Sequence, residues 1–319
     1  MLTKITENCI LQPKMKPMFK AKFIFVFLFI TIWACGSDDE DSNITPPRDR
    51  GEESIAAQLE IEDFLATHFY NYEDFQNPPA GFDFNIVIDS LVGDNVGKIA
   101  LIDQVESKMV VDRLEDDVTY KLYYLKAVQG SGDSPDFPDI TVVKYVGMKL
   151  DLEPFDASSQ PVAFDLTGVV NGFQDVAIEL NAAGSFIKNP DGTTTFEDFG
   201  VGAMFIPSGL GYFNNPPTSS AIPLYEQLVF TFQLLETFQG DQDGDGVPSI
   251  YEDIDGNGQE ENDDTDDDFT PNFADADDDN DGVPTSQEIL DENGVRITDP
   301  ALYPDVDGDG TPDYLDSDS

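Results

Sequence analysis

The last quarter of the chain repeats one pattern that hydrophobic burial alone cannot fold. Asp241, Asp243, Asp245, Gly246 and Glu252 follow the spacing D-x-D-x-D-G-x5-E, and Asp277, Asp279, Asp281, Gly282 and Glu288 repeat it in full. Asp305, Asp307, Asp309, Gly310 and Asp316 repeat it with a shorter acid at the last position, and Asp253, Asp255, Asn257, Gly258 and Asp264 make a weaker copy. Alternate acids converge on one hard cation when a glycine at position six turns the loop sharply and the seventh residue offers its carbonyl. From Asp241 to Ser319 there are 28 acidic residues against one base, Arg296. A segment so charged and so poor in apolar side chains cannot offset its ordering entropy and self-repulsion by burial. Either calcium orders it, or it remains a solvated acidic tail.

The same imbalance marks the whole chain, with 64 acids, 16 bases and a formal charge of -48 over 319 residues. Nucleic acid is thereby excluded as a partner, because phosphate recognition needs clustered lysine and arginine. A single histidine, His68, excludes a multi-histidine metal centre and reads as an ordinary helix residue. With 24 Phe and 11 Tyr, the chain still has material for a real core.

At the other end, Lys14, Lys16, Lys20 and Lys22 precede an apolar run from Phe23 to Ala34 that stops at Cys35. About 12 residues are too few to cross a bilayer as a helix and suit the apolar region of a signal peptide. Ala34-Cys35 resembles the lipobox of a bacterial lipoprotein, and the acidic run Ser37 to Asp41 resembles the export signal of surface lipoproteins of the Bacteroidetes. Lipidation at Cys35 is expected, and with Cys9 outside the mature protein no disulfide forms within it. Residues 35–51 then read as an acidic tether.

Between tether and tail the chain alternates patterns of both periods. A helix is expected over Glu52 to Tyr70 with Ile55, Leu59, Leu65 and Phe69 on its apolar face. Segment 52–117 carries no chemical signature and reads as a structural extension or a partner surface. Val118, Tyr120, Leu122 and Tyr124 alternate as in a half-buried strand, and Val142 to Leu150 and Leu228 to Leu235 give further strands. A short helix is expected over Gln174 to Ala183, and Asn189 to Thr195 reads as the turn of a lengthened hairpin. The fold class is α+β, an antiparallel sheet wrapped around a short helix.

Across Val118 to Thr237 the chain resembles the FKBP-type peptidyl-prolyl cis-trans isomerases. The resemblance rests on six ordered pieces: Tyr145-Val146-Gly147, Phe155-Asp156-Ala157-Ser158, Val169 to Phe173, Ile206-Pro207 with Tyr212, Ile222-Pro223, and Leu228-Val229-Phe230. It implies a proline pocket of Tyr145, Phe155, Asp156, Val169, Val170, Phe173, Tyr212, Ile222 and Phe230, acting on proline-containing polypeptides without a catalytic cofactor. Phe173 stands where that family usually has Trp, and Val162 stands where an aromatic commonly lines the pocket, so one wall is expected to be missing. In the tail, Pro248, Pro284 and Pro312 fall at position eight of their loops, where paired EF-hands use a backbone N–H that proline lacks. The loops therefore resemble thrombospondin type 3 repeats, with calcium as their core.

These readings divide the chain into a signal peptide (1–34), the tether (35–51), the extension (52–117), an isomerase domain (118–237) and calcium repeats (241–319). They describe a folding helper held by lipid at the bacterial outer membrane, facing the periplasm or the cell surface. The alternative is a surface peptide-binding or adhesion protein that holds proline segments without turning them over.

Overall fold

In the computed structural model, which describes residues 46–319, helix α1 (Arg50–Thr67) begins where the Asp49 carboxylate accepts the Glu52 N–H at 2.8 Å. Its buried stripe is Glu53, Ala57, Ile61, Phe64 and Leu65. Ile55 and Leu59, expected on the apolar face, are 65% and 63% exposed. Polar anchors at the helix start fix the rotation: Arg50 Nε donates to the buried Asp112 carboxylate at 2.7 Å, and Glu53 takes Arg48 at 2.8 Å and the Ser208 hydroxyl at 3.3 Å. The helix also stops earlier than expected. His68–Tyr70 is extended as β1 and pairs with β2 (Ile88–Ser90), while the His68 ring stacks on Phe64. A short helix, α2 (Tyr72–Gln76), follows β1.

Six strands form the main sheet: β3 (Glu106–Val111), β4 (Thr119–Val128), β5 (Ile140–Lys149), β6 (Pro154–Asp165), β9 (Gly200–Ile206) and β10 (Leu228–Phe238). Their order is β3-β4-β9-β10-β5-β6, with every neighbouring pair antiparallel. The fold is thus a mixed one of helices and antiparallel sheet. Strand β3 belongs to this sheet although it lies before Val118.

Helix α3 (Asn171–Ala177) lays Phe173, Val176 and Ala177 on one face of the sheet, over Tyr120, Leu122, Met204, Ile206, Phe230 and Phe232. A Cβ at Gly172 would come within 2.5 Å of Ile206, so glycine lets the helix approach β9 this closely. Beyond Ala177 the expected helix does not continue, because Asn181 is drawn to the neighbouring loop by hydrogen bonds of 2.8 Å to the carbonyls of Gln129 and Gly132. The hairpin of β7 (Ser185–Lys188) and β8 (Thr194–Glu197) is closed by the Asn189 N–H on the Thr193 carbonyl at 2.8 Å.

The second face of the sheet is covered too. Tyr123, Leu125, Ala203, Phe205 and Val229 pack in one cluster with Ile61, Phe64 and Leu65 of α1. Strand β4 is accordingly not half-buried as expected, and β9 is buried along its whole length. Each large apolar side chain so covered contributes about 1.5 to 3 kcal/mol.

The tail runs as short 3-10 turns with one brief helix, α4 (Thr285–Glu288). It has a small apolar core of its own, which its composition did not suggest: Val247, Ile289, Tyr303 and Tyr314 cluster together. It is also seated on the sheet domain. The Gly240 N–H donates to Asp139 at 3.1 Å, Gln242 to the Pro138 carbonyl at 2.8 Å, and Arg113 lies 3.4 Å from Glu261. The expected signal peptide, Cys35 and most of the tether lie outside the described residues. No helix among the described residues is long and apolar enough to cross a membrane.

Candidate functional site

Strands β5, β6 and β10 and the start of α3 bring eight of the nine expected pocket residues around one cavity of about 460 Å³. Its wall comprises Tyr145, Phe155, Asp156, Val169, Val170, Phe173, Tyr212 and Phe230. Ile222 does not line it; the side chain is buried in the adjoining core. The rings are set edge to face: Phe155 meets Phe230 at 5.5 Å and 86°, and Phe173 meets Phe230 at 5.5 Å and 89°. Gly147 makes this possible, since a Cβ there would lie 2.7 Å from Phe230 and 2.8 Å from Phe155.

The wall expected to be missing at Val162 is present. Phe164, two residues along the same face of β6, lines the cavity, 4.9 Å from Tyr145 and edge-on to Phe173 at 5.5 Å. Period-two spacing in the sequence carried that signal, but choosing between positions 162 and 164 required the register against β5, where Val162 faces Val143 and Phe164 faces Thr141.

Polar groups stand at the mouth. Tyr145 donates its hydroxyl to Asp156 Oδ2 at 2.6 Å. Burial and then this carboxylate push the Tyr145 hydroxyl well above the ordinary tyrosine range, and burial followed by Asp156 raises Tyr212. Both phenols stay protonated donors at neutral pH. Val170 precedes α3 with extended backbone, its carbonyl accepting the Phe173 N–H at 2.8 Å while its own N–H bonds to nothing among the described residues. The site is therefore an aromatic cup with hydrogen-bond donors at its rim.

The acidic loops also assemble. Asp241, Asp243 and Asp245 bring one oxygen each within 4.8 Å of one another, as do Asp277, Asp279 and Asp281. Glu288 is raised to about 8, by burial first and then by Asp279, Asp281 and Asp277, so it sits among the third loop's acids. In the fourth loop Asp305 accepts the Gly308 N–H at 2.7 Å and the Gly310 N–H at 3.1 Å, and Asp307 and Asp309 cap the residues two beyond them. Asp316 lies near enough to Asp279 to raise its pKa. The weaker copy is arranged differently from its spacing: Asp263, not Asp264, joins Asp253 and Asp255, while Asp264 groups with Asp266 and Asp268. An alternate-acid spacing at 264, 266 and 268 was legible but lacks the glycine.

Oxygen-only donors suit calcium, and the loops pass a further test. Asp243 Oδ2, Asp277 Oδ1, Asp279 Oδ2 and Glu288 Oε2 are buried without any hydrogen-bond partner. Buried carboxylate oxygens in that condition fit a coordinated cation, the usual means by which such charge is tolerated.

Residues 242–304 match the family model described as BamM C-terminal. No curated protein matches the chain. Among solved structures, a peptidyl-prolyl cis-trans isomerase from Pseudomonas syringae pv. tomato is similar at 24% identity, over 37% of this chain and 76% of that one, with a TM-score of 0.31. FkpA from Escherichia coli is similar at 25% identity, over 41% of this chain and 52% of that one, with a TM-score of 0.30. The three FKBP domains of wheat FKBP73 are similar at 13% identity, over 41% and 51%, also at 0.30. This chain thus spans about half the length of the latter two.

Proposed function

We propose that this chain is an FKBP-type peptidyl-prolyl cis-trans isomerase that assists folding of extracytoplasmic polypeptides, anchored by lipid at Cys35 and extended by a calcium-ordered acidic tail. One observation carries the catalytic part: Phe155, Phe173 and Phe230 meet edge to face around a cavity of about 460 Å³ that has room for a prolyl residue and its neighbours, with Tyr145, Asp156 and Tyr212 at its mouth. Rotation about an X-Pro bond crosses a barrier of about 18 to 20 kcal/mol because the twisted amide loses its resonance. No nucleophile is needed. An apolar cup favours the twisted, less solvated amide over the planar one, and each 1.36 kcal/mol of that preference is worth about tenfold in rate.

In this reading Phe155, Phe173 and Phe230 enclose the prolyl ring, while the Tyr212 hydroxyl and the Val170 N–H receive substrate carbonyls. Asp156 holds the Tyr145 ring in place at the rim. Calcium plays no part in the rotation; Asp241, Asp243, Asp245, Glu252 and their counterparts in the later loops hold it in the tail.

A proline-isomerisation assay on the mature chain tests the proposal. Phe230→Ala is expected to lower kcat/KM by about tenfold or more, and Tyr212→Phe by a smaller factor, since it removes one hydrogen bond of about 0.5 to 1.5 kcal/mol. Equal rates in wild type and Phe230→Ala would overturn the pocket assignment. Tight binding of proline peptides with no turnover would favour the non-catalytic surface binder instead.

A further inference from the structure

The alternate acids of the third loop, Asp277, Asp279 and Asp281, turn toward one another, but Asp278 between them does not join that group. It meets Asp245 and Glu252 of the first loop, one oxygen from each of the three within 4.8 Å of the others. That span is what oxygens across a common ion can have at metal distances of about 2.4 Å. All three residues are almost wholly enclosed: Glu252 is 0% exposed, Asp278 1% and Asp245 3%.

Four of their six oxygens are left without a partner. Both oxygens of Glu252, Oδ2 of Asp245 and Oδ1 of Asp278 have no hydrogen-bond partner. The remaining oxygens are used for positioning, with Asp245 Oδ1 accepting the Val247 N–H at 2.7 Å and Asp278 Oδ2 accepting the Thr285 hydroxyl at 2.9 Å. Arg296, the tail's one base, donates instead to the Asp245 backbone carbonyl at 2.9 Å. Three enclosed carboxylates this close, with no cationic side chain among their hydrogen-bond partners, can stay ionised together only with a counter-charge between them.

We propose that Asp245, Glu252 and Asp278 hold a divalent cation between the first and third loops, in addition to any ion inside a single loop. This rests on the reading of the tail as calcium-binding and adds a site that the loop spacing passes over. Calcium is the ion of choice, because the donors are oxygens only and the enclosure leaves little room for the retained waters that magnesium demands. Thr285, fully buried, is a positioning residue that turns Asp278 away from its own loop. The ion would lie beside the apolar cluster of Val247, Ile289, Tyr303 and Tyr314, so that metal and side chains close the same junction.

The test uses the full mature chain, with calcium stoichiometry from equilibrium dialysis and terbium emission sensitised by the neighbouring Tyr303 and Tyr314. Asp278→Asn, nearly isosteric, is expected to lose one ion and most of the sensitised emission. Thr285→Val is expected to weaken the same ion, and Asp281→Asn to lower loop-three binding while keeping the emission. If wild type binds calcium and Asp278→Asn keeps both full stoichiometry and full emission, the bridging site is wrong and the loop sites stand. If wild type binds no calcium, the reading of the tail fails and this proposal with it.

Discussion

Gln174, the residue after the pocket-floor Phe173, donates its side-chain amide to Glu260 of the tail at 2.7 Å, in a hydrogen bond buried on both sides. A second bond from the same amide, to the Phe137 carbonyl at 3.1 Å, fixes the side chain. Through one glutamine the acidic tail therefore holds the helix on which the aromatic cup is built.

Gln174→Ala is expected to loosen that seating. It leaves Glu260 enclosed with neither oxygen bonded to a side chain, at a cost of about 1 to 3 kcal/mol. Limited proteolysis should release the tail faster in the variant while the sheet domain stays intact. Unchanged cleavage would mean that the bond contributes nothing to docking.

Docking should also depend on pH through Glu260. Burial, reinforced by Glu261 and opposed by Gln174 and Arg113, raises this carboxyl to about 7 from an ordinary 4.5. A raised carboxyl favours the folded state when protonated. Its contribution is therefore complete below about pH 4.5 and is lost as pH climbs through 7, by about 3 kcal/mol at most. Comparing thermal unfolding of wild type and Glu260→Gln from pH 5 to pH 8 isolates the group. The difference between the two should change across that window, and a constant difference would refute the assignment.

Gly147→Ala should spoil the cup without touching any hydrogen-bonding group. The added methyl meets both Phe155 and Phe230, so one ring must move and the cavity must shrink. Proline-peptide affinity and isomerisation should fall together by about tenfold, with a modest drop in Tm. Wild-type affinity in this variant would show that the spacing of the two rings is unimportant.

Cys35→Ser is expected to release the protein from membranes, because stable attachment needs more than one acyl chain and the serine accepts none. Fractionation after a salt wash reads the outcome. A variant that still sediments with the membrane would place the anchor elsewhere.

Where sequence and structure part, a long-range register decides. Phe155, Phe173 and Phe230 were legible only through the resemblance to the FKBP-type isomerases, whose ordered motifs contain them; periodicity and composition alone did not single them out. Phe164 was not chosen over Val162 because both occupy the same face of β6, and only the pairing with Val143 and Thr141 tells which reaches the cavity. The buried side of α1 escaped periodicity analysis for a related reason. Ile55 and Leu59 form as regular a stripe as Ala57 and Ile61, and the choice is made by Arg50 reaching Asp112, 62 residues away. Asp278 was passed over because the loop spacing credits only alternate acids, while the structure turns the intervening one toward another loop.

The cover that α1 places over the second face of the sheet sets the order in which this chain can fold. The helix leaves the ribosome or the translocation channel first, carrying Ile61, Phe64 and Leu65, but Phe205 and Val229 beneath it arrive more than a hundred residues later. Until β10 pairs with β9 and β5, the helix has only part of its platform, the share given by nearby residues such as Tyr72 and Leu101. Closure through such distant contacts is slow, because the loop entropy is spent before the contacts return anything. A protein that we propose to speed the folding of others would thus itself mature late, as a single cooperative event completed by its last strand.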